Sequence, residues 1–238
     1  MSMVGNHVIS ESIGECWKSC VDYVIRNGVL FHDEDVNLIE ILGLSIKILF
    51  PDTSDEIVNE YGDKNIIERT LLKFSKDVEM RDRPFTYGER IFNKNGVDQF
   101  EWLISRIKKK METKSATICL LIEGEDLENL PCLTTIDFKI REEKLDLQFF
   151  FRSQNIFGRQ YANLLALAKL QQDLACRLHL GIGFIGGYIA SAHIYDYDLC
   201  QARLLCSDEK FVIEDKFYYN GPKSIREAMG KQDVNWQS

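Results

Sequence analysis

The chain has 238 residues, enough for one domain with a substantial buried core. A net charge of -8, with 45% hydrophobic and 28% charged residues, argues against general nucleic-acid binding and is ordinary for a globular protein. The longest apolar runs have the length of strands, so no membrane span is predicted. Seven cysteines without metal-ligand spacing, and an N-terminus without a secretory signal, predict a cytoplasmic protein with reduced thiols and no metal site.

The first half of the chain predicts three helices and one strand. The helices have apolar residues that recur on one face, and they are expected over 10–28, in the second half of 55–74, and over 98–111. Residues 44–50 alternate between apolar and polar and stop at Pro51, which is typical of a strand. The charged segment 76–84 predicts a loop.

The second half predicts most of the sheet. Residues 116–122 are almost wholly apolar, which favours a strand covered on both faces. The other predicted elements are a hairpin of 130–140 and 145–151 around a charged turn, a central helix over 161–180, a strand over 183–199, a short helix at 198–206 and a short strand at 211–215. No linker or repeat interrupts the chain, so we expect a single domain over 1–238.

The segment 149–163 passes from an apolar strand through a polar turn into the central helix. Arg152 and Ser153 lie where the strand ends, and a guanidinium beside a hydroxyl suits a phosphate. Asn163 follows among leucines, where an amide needs hydrogen-bond partners. Taken alone, the segment favours a surface arginine and a satisfied core asparagine over a phosphate site.

Cys132 and the strand that carries His193 and Tyr195 are further candidates. Cys132 follows a proline at the start of a strand, where a thiolate could act as a nucleophile, although it is one of seven cysteines. His193 and Tyr195 alternate along one strand and should project from one face. Two polar rings on one face suit hydroxyl recognition or a hydrogen-bonded core pair.

Tyr87 and Glu68 are weaker candidates by themselves. Tyr87 and Arg90 in the sequence TYGER could form an acid and anion-binding pair, or could anchor a loop. Glu68 lies beside isoleucines in a predicted helix and could be a half-buried base or a solvated side chain.

The order of these motifs resembles the thymidylate synthase family. The motifs are PCL at 131–133, RS at 152–153, AN at 162–163 and HIY at 193–195, with FTYGER and DQFEWLISRI before them. Several ordered motifs are more specific than one short motif. The motifs are most similar to the compact archaeal-type branch, with pyrimidine hydroxymethylases close by. The resemblance implies an α+β fold with a mixed β-sheet backed by helices, and a homodimer paired through the sheet.

The resemblance also implies a folate-dependent one-carbon transfer to C5 of a pyrimidine nucleotide. A cysteine at the position of Cys132 adds to C6 of the base, and C5 then takes a methylene from 5,10-methylenetetrahydrofolate. Methylases next use the folate as hydride donor, whereas hydroxymethylases let water capture the methylene. Asn163 matches the position that reads the base, and its amide suits uracil better than cytosine.

The remaining site residues are assigned by the same resemblance. The implied roles are phosphate binding by Arg152 and Ser153, binding of the sugar 3′-hydroxyl by His193 and Tyr195, C5 proton removal near Tyr87, and general acid–base chemistry at Glu68. Arg152 would also help to keep Cys132 as the thiolate.

The sequence departs from the family pattern at several of these positions. Ser115 and Ala116 replace an arginine pair that the family donates across its dimer, and Lys114 restores part of the charge. Two lost charge-assisted contacts are worth roughly 1.5–3 kcal/mol each. Asn155 replaces an aspartate, and Leu133 replaces a histidine. Two alternatives therefore stay open: a hydroxymethylase for an unusual nucleotide or nucleoside, and a non-catalytic nucleotide-binding homologue.

Overall fold

The computed structural model describes residues 5–33, 36–76, 78–80, 84–122, 124 and 130–207. Their strands are β1 (His7–Ser10), β2 (Val29–Asp33), β3 (Val36–Ile48), β4 (Ala116–Cys119), β5 (Leu133–Arg141), β6 (Lys144–Phe151), β7 (Gln154–Asn155) and β8 (Gly181–Tyr195). Their helices are α1 (Ile13–Asn27), α2 (Glu56–Tyr61), α3 (Lys64–Phe74), α4 (Tyr87–Phe92), α5 (Gln99–Lys109), α6 (Ile156–Leu178) and α7 (Leu199–Cys206), with a 3-10 turn at Asp196–Asp198. None of these helices is both long and apolar enough to cross a membrane.

The strands form one mixed eight-stranded sheet in the order β1-β3-β8-β6-β5-β4, with β2 beside β3 and β7 beside β8. The pairs β1–β3, β6–β8 and β7–β8 are parallel, and the other pairs are antiparallel. The predicted α+β fold, with a mixed sheet backed by helices, is confirmed. β8 lies at the centre, so residues on it are positioned by strands on both sides.

α6 is the central helix, as predicted, and it is fixed to the sheet by side-chain hydrogen bonds. Gln171 is fully buried and its Nε2 donates to the carbonyl oxygens of Leu145 (2.6 Å) and Gly183 (3.3 Å). At the other end, Trp17 of α1 packs on Tyr161 at 4.4 Å and donates to the carbonyl oxygen of Phe157 (3.0 Å). Because both ends are held, the N-terminus of α6 has a defined position beside the strand ends.

The face of the sheet away from α6 carries exposed apolar side chains; we call this the outer face, and it includes Ile9, Phe150 and Tyr188. The rings of Phe150 and Tyr188 stack at 5.7 Å on neighbouring strands. Gly43 has a positive φ of 76° and interrupts the alternation of buried and exposed side chains along β3. Leu42, next to it, is 69% exposed although it is apolar. Such a face is covered by another molecule in many proteins.

Two predictions about strands are wrong. The strand expected over 116–122 ends at Cys119, and β4 is an edge strand whose side chains alternate between buried and accessible, so it is not covered on both faces. The strand expected over 44–50 begins earlier, at Val36. β1 and β2 were not predicted, and the predicted strand 211–215 lies outside the described residues.

The predicted hairpin is confirmed as β5 and β6. Its turn residues, Glu142 and Glu143, have positive φ angles of 50° and 60°, a combination found in type I′ turns. Positive φ is uncommon without glycine or asparagine, so the strand pairing imposes this conformation on two glutamates.

Candidate functional site

Cys132 directly precedes β5, and the residues 130–132 that contain it are called the Cys loop. The thiol is half-buried and not in a disulfide. Arg152 holds three successive carbonyl oxygens of this loop: its backbone N–H donates to Cys132 (2.8 Å), its Nε to Pro131 (3.1 Å) and its Nη2 to Leu130 (2.8 Å). The predicted pair of Cys132 and Arg152 is therefore brought together through the main chain of the loop.

Tyr87 supports the other end of the Cys loop. Its hydroxyl oxygen accepts a hydrogen bond from the backbone N–H of Leu133 at 3.3 Å. Its ring packs edge-on against Phe74 of α3, with centroids 4.9 Å apart. The residue that follows Cys132 is thus held by a side chain from α4, which the sequence could not show.

The sequence TYGE explains why α4 delivers Tyr87 to this place. Thr86 caps the helix, with its Oγ1 accepting from the N–H of Glu89 at 3.0 Å. Gly88 lies against the end of α3, where a Cβ would be only 1.9 Å from the carbonyl oxygen of Ser75. Arg90 is buried against the ring of Phe85 at 4.2 Å, which favours the anchoring role for that arginine.

The N-terminus of α6 brings Ser153 and Asn155 next to the Cys loop. Asn155 caps the helix, with its Oδ1 accepting from the N–H of Gly158 at 2.8 Å. Its Nδ2 is buried and has no hydrogen-bond acceptor in the described part of the chain. Ser153 is half-buried after β6, and Asn163 is half-buried further along the helix. All lie on the segment that begins at Arg152.

His193 and Tyr195 lie near the end of β8, and their rings meet edge to face at 5.0 Å. Tyr195 also stacks on Tyr197 at 5.1 Å. Burial lowers the pKa of His193, although a hydrogen bond with the backbone of Ser191 and the negative charge of Glu40 act in the opposite direction. His193 is therefore neutral at neutral pH, and a neutral imidazole can accept a hydrogen bond.

Ser191 and Glu40 are site neighbours that the sequence did not reveal. The N–H of Ser191 donates to the carbonyl oxygen of Arg152 (3.2 Å), and its Oγ donates to Oε1 of Glu40 (2.5 Å). Ser191 therefore links the strand end of Arg152 to β3. The signal that could have pointed to Glu40 is an acidic residue inside an apolar stretch of β3, in the sequence LIEIL.

Glu68 lies apart from these contacts. It is exposed on α3, where it lines a shallow groove with Lys64, Ile67 and Leu71. Within the described ranges, no hydrogen bond joins Glu68 to the Cys loop. Its predicted acid–base role stays a prediction.

The positions of the missing arginine pair lie at the start of β4. Ala116 is 1% exposed and begins the strand, so its side chain belongs to the core. The Oγ of Ser115 accepts from Nη2 of Arg106 on α5 at 3.0 Å. Arg106 therefore places its guanidinium next to the uncharged Ser115.

The chain is similar in sequence to proteins of one family over most of its length. The family model described as thymidylate synthase matches residues 35–222. A "putative thymidylate synthase" of Methanosarcina mazei is 30% identical over 199 residues, 82% of this chain and 92% of that protein. A protein of the same name from Methanothermobacter thermautotrophicus is 30% identical over 207 residues, with shares of 80% and 93%. A thymidylate synthase of Mycoplasma genitalium is 29% identical over 144 residues, with shares of 58% and 50%.

Proposed function

Because the chain belongs to the thymidylate synthase family, it is a one-carbon transferase that acts on a pyrimidine with methylenetetrahydrofolate as cofactor, and we propose that it methylates C5 of a uracil nucleotide through Cys132. The geometry of the Cys loop is the observation that supports this proposal. Arg152 holds the three carbonyl oxygens of the loop and Tyr87 holds the following N–H, so the backbone on both sides of a half-buried thiol is fixed. A thiol held in one position suits a nucleophile that must attack one atom of a bound base.

In the proposed first step, the thiolate of Cys132 forms a bond to C6 of the base. The electrons of the C5–C6 double bond move toward O4, and the Nδ2 of Asn163 donates a hydrogen bond to that oxygen. C5 becomes nucleophilic as a result. After one-carbon transfer, a proton leaves C5 toward a base on the Tyr87 side, and breaking of the S–C6 bond regenerates the thiolate.

The nucleotide would lie along the strand ends, with its phosphate at Arg152. The Cys loop uses one N–H of Nε and one of Nη2, which leaves three N–H groups on Nη1 and Nη2, together with the hydroxyl of Ser153, for the phosphate. Because Ser115 and Ala116 stand where the family has an arginine pair, we expect a second cation to contribute, and Arg106 at Ser115 is the candidate on this chain.

The cofactor fits the amino end of α6. The buried Nδ2 of Asn155 has no acceptor within the described residues, and an unpaired donor of this kind suits an acceptor on the pterin ring. We propose that Asn155 orients the cofactor from this position. When bound, methylenetetrahydrofolate supplies the one-carbon unit and, in methylation, the hydride.

We also propose that two protomers pair through the outer face. Leu42 and Ile9 are 69% and 62% exposed, and the stacked rings of Phe150 and Tyr188 lie on the same sheet. Removal of such a surface from water would stabilise a dimer. Light scattering tests this, and Tyr188→Lys should shift the protein toward the monomer. A wild-type protein that is monomeric at micromolar concentration would contradict the pairing.

Hydroxymethylation is the second candidate activity, and the replacement of the arginine pair by Ser115 and Ala116 favours it, since the family uses that pair for ordinary substrate handling. In that reaction water, rather than hydride, reaches the exocyclic methylene. The nucleotide product distinguishes the two activities, because mass spectrometry separates a methyl from a hydroxymethyl group.

Tritium release from C5-tritiated dUMP, UMP, dCMP and CMP, with methylenetetrahydrofolate present, tests the proposed function. We expect release from a uracil nucleotide, and loss of release in Cys132→Ser. Cys119→Ser is the matched control, because Cys119 is also a free cysteine but is exposed on β4. Full release by Cys132→Ser would overturn the covalent mechanism. No release from any nucleotide by the wild type would favour a non-catalytic binding protein.

A further inference from the structure

Glu40 is an acidic side chain inside an apolar stretch of β3 and beside the candidate site. β3 pairs antiparallel with β8, and Glu40 stands directly opposite His193. Opposed residues of paired strands project from one face with Cβ atoms about 4.5–5.5 Å apart. Ser191 lies on the same strand as His193 and donates its Oγ to Oε1 of Glu40 at 2.5 Å. Three polar groups from two strands are therefore gathered at this point.

The carboxylate of Glu40 has unused hydrogen-bonding capacity. The residue is half-buried, and in the described part of the chain no lysine or arginine forms an ion pair with it. A carboxylate can accept about four hydrogen bonds, whereas Ser191 supplies one. Partial burial of a charged group is costly unless donors satisfy it. The surroundings of Glu40 therefore suit a ligand that brings hydrogen-bond donors.

The neighbouring His193 restricts which chemical groups that ligand can place beside Glu40. Its ring is hydrogen-bonded to the backbone of Ser191 and neutral, so its second nitrogen is an acceptor. Two acceptors side by side favour hydroxyl groups, which donate hydrogen bonds. A phosphate would be repelled by the carboxylate of Glu40, so the anionic part of a nucleotide is excluded from this point.

We propose that Glu40 is a specificity-determining residue that accepts a hydrogen bond from a hydroxyl of the nucleotide sugar beside His193. The inference rests on the proposed function, which places the phosphate at Arg152, and on the resemblance, which implies that the sugar lies at His193. Ser191 connects the two places: its N–H binds the carbonyl oxygen of Arg152 and its hydroxyl binds Glu40. These groups lie on successive strands about 4.8 Å apart, a spacing that a nucleotide spans. Acidic side chains bind ribose hydroxyls in dinucleotide sites for the same reason.

Calorimetric titration with UMP, dUMP and 2′,3′-dideoxyuridine monophosphate tests this inference without requiring turnover. Glu40→Gln keeps the size of the side chain and removes its charge. We expect it to weaken binding of hydroxyl-bearing nucleotides by about 10- to 100-fold, the range for a hydrogen bond to a charged group. Binding of the dideoxy nucleotide should change less than twofold. A loss confined to UMP identifies the 2′-hydroxyl, and a loss for both UMP and dUMP identifies the 3′-hydroxyl.

Glu60→Gln is the matched control, because it makes the same change on an exposed part of α2. Glu40→Asp keeps the charge but withdraws it by one methylene, and we expect an intermediate loss with the same dependence on the sugar. An equal loss for all three nucleotides, or no loss for any, would overturn the role of Glu40. If the wild type binds none of the three, the proposed function fails instead.

Discussion

The two ends of the candidate site are built in different ways. In the described part of the chain, residues 130–132 of the Cys loop belong to no strand, and side chains from other elements hold the backbone of the loop and of the residue after it: Arg152 after β6 and Tyr87 on α4. The other end, at Glu40 and His193, is where we propose that the sugar binds, and we call it the sugar end. It lies inside the sheet, where the ladder between β3 and β8 fixes the backbone of both residues. Side chains at the sugar end are therefore available to a ligand. Arg152 and Tyr87, by contrast, also hold the backbone that carries the thiol.

This difference predicts that a conservative change at Arg152 damages the Cys loop. Arg152→Lys keeps a positive charge for phosphate, but one ammonium group cannot replace the guanidinium on both Leu130 and Pro131. We expect kcat to fall about 10- to 100-fold, since the ammonium can keep at most one of the two hydrogen bonds and the lost bond from a charged donor is worth roughly 1.5–3 kcal/mol. KM for the nucleotide should change less. Steady-state kinetics with saturating cofactor measures both.

Thiol reactivity of the free enzyme separates this positioning role from phosphate binding. The rate of Cys132 alkylation by iodoacetamide, followed by peptide mass spectrometry, should change in Arg152→Lys. The exposed Cys119, Cys176 and Cys200 report in the same sample whether the whole protein has loosened. An unchanged rate at Cys132 with a raised KM would show that Arg152 serves the phosphate alone.

A smaller effect is expected from Tyr87→Phe. The phenyl ring can still pack on Phe74, but the N–H of Leu133 loses its acceptor. One neutral hydrogen bond is worth about 1 kcal/mol, so we expect roughly a 5- to 10-fold lower kcat and a stability loss of about 1–2 kcal/mol. Urea unfolding gives the stability, and kinetics the rate. Tyr23→Phe, which removes a phenol bonded to Asn6 away from the site, is the matched control. Full activity in Tyr87→Phe would contradict a role in holding the loop.

The smallest predicted effect is on the pH dependence of stability, through His193 at the sugar end. The pKa of His193 is lowered in the folded protein, mainly by burial, below its ordinary value of 6.5. In the window from pH 6.5 down to the lowered pKa, the unfolded chain binds a proton that the folded protein does not. The contribution of His193 to stability is therefore complete above pH 6.5 and is lost as the pH falls. Urea unfolding between pH 5 and 7.5 should show a shallower slope for His193→Gln than for the wild type. Equal slopes would show that His193 titrates alike in both states.

The sequence by itself determined the family and much of the local structure. The ordered motifs around Cys132, Arg152 and His193 identified the resemblance, because each motif is defined by residue types that the sequence states directly. Helix starts were equally visible: Asp98 precedes an amphipathic run and caps α5 through the N–H of Glu101 at 3.0 Å. Signals of this kind act within a few residues and need no knowledge of the rest of the chain.

Only the tertiary structure decided how distant segments meet. The apolar sequence 116–122 suggests a buried strand, but the strand order places β4 at an edge and ends it at Cys119. The bond between Tyr87 and Leu133 and the pairing of Glu40 with His193 join residues far apart in the chain. Packing and register over the whole sheet determine which strands pair, so a local sequence pattern does not predict the strand neighbours. For this reason the sequence pointed to Cys132 as the candidate nucleophile, and the fold showed which side chains hold the Cys loop and that Glu40 lies opposite His193.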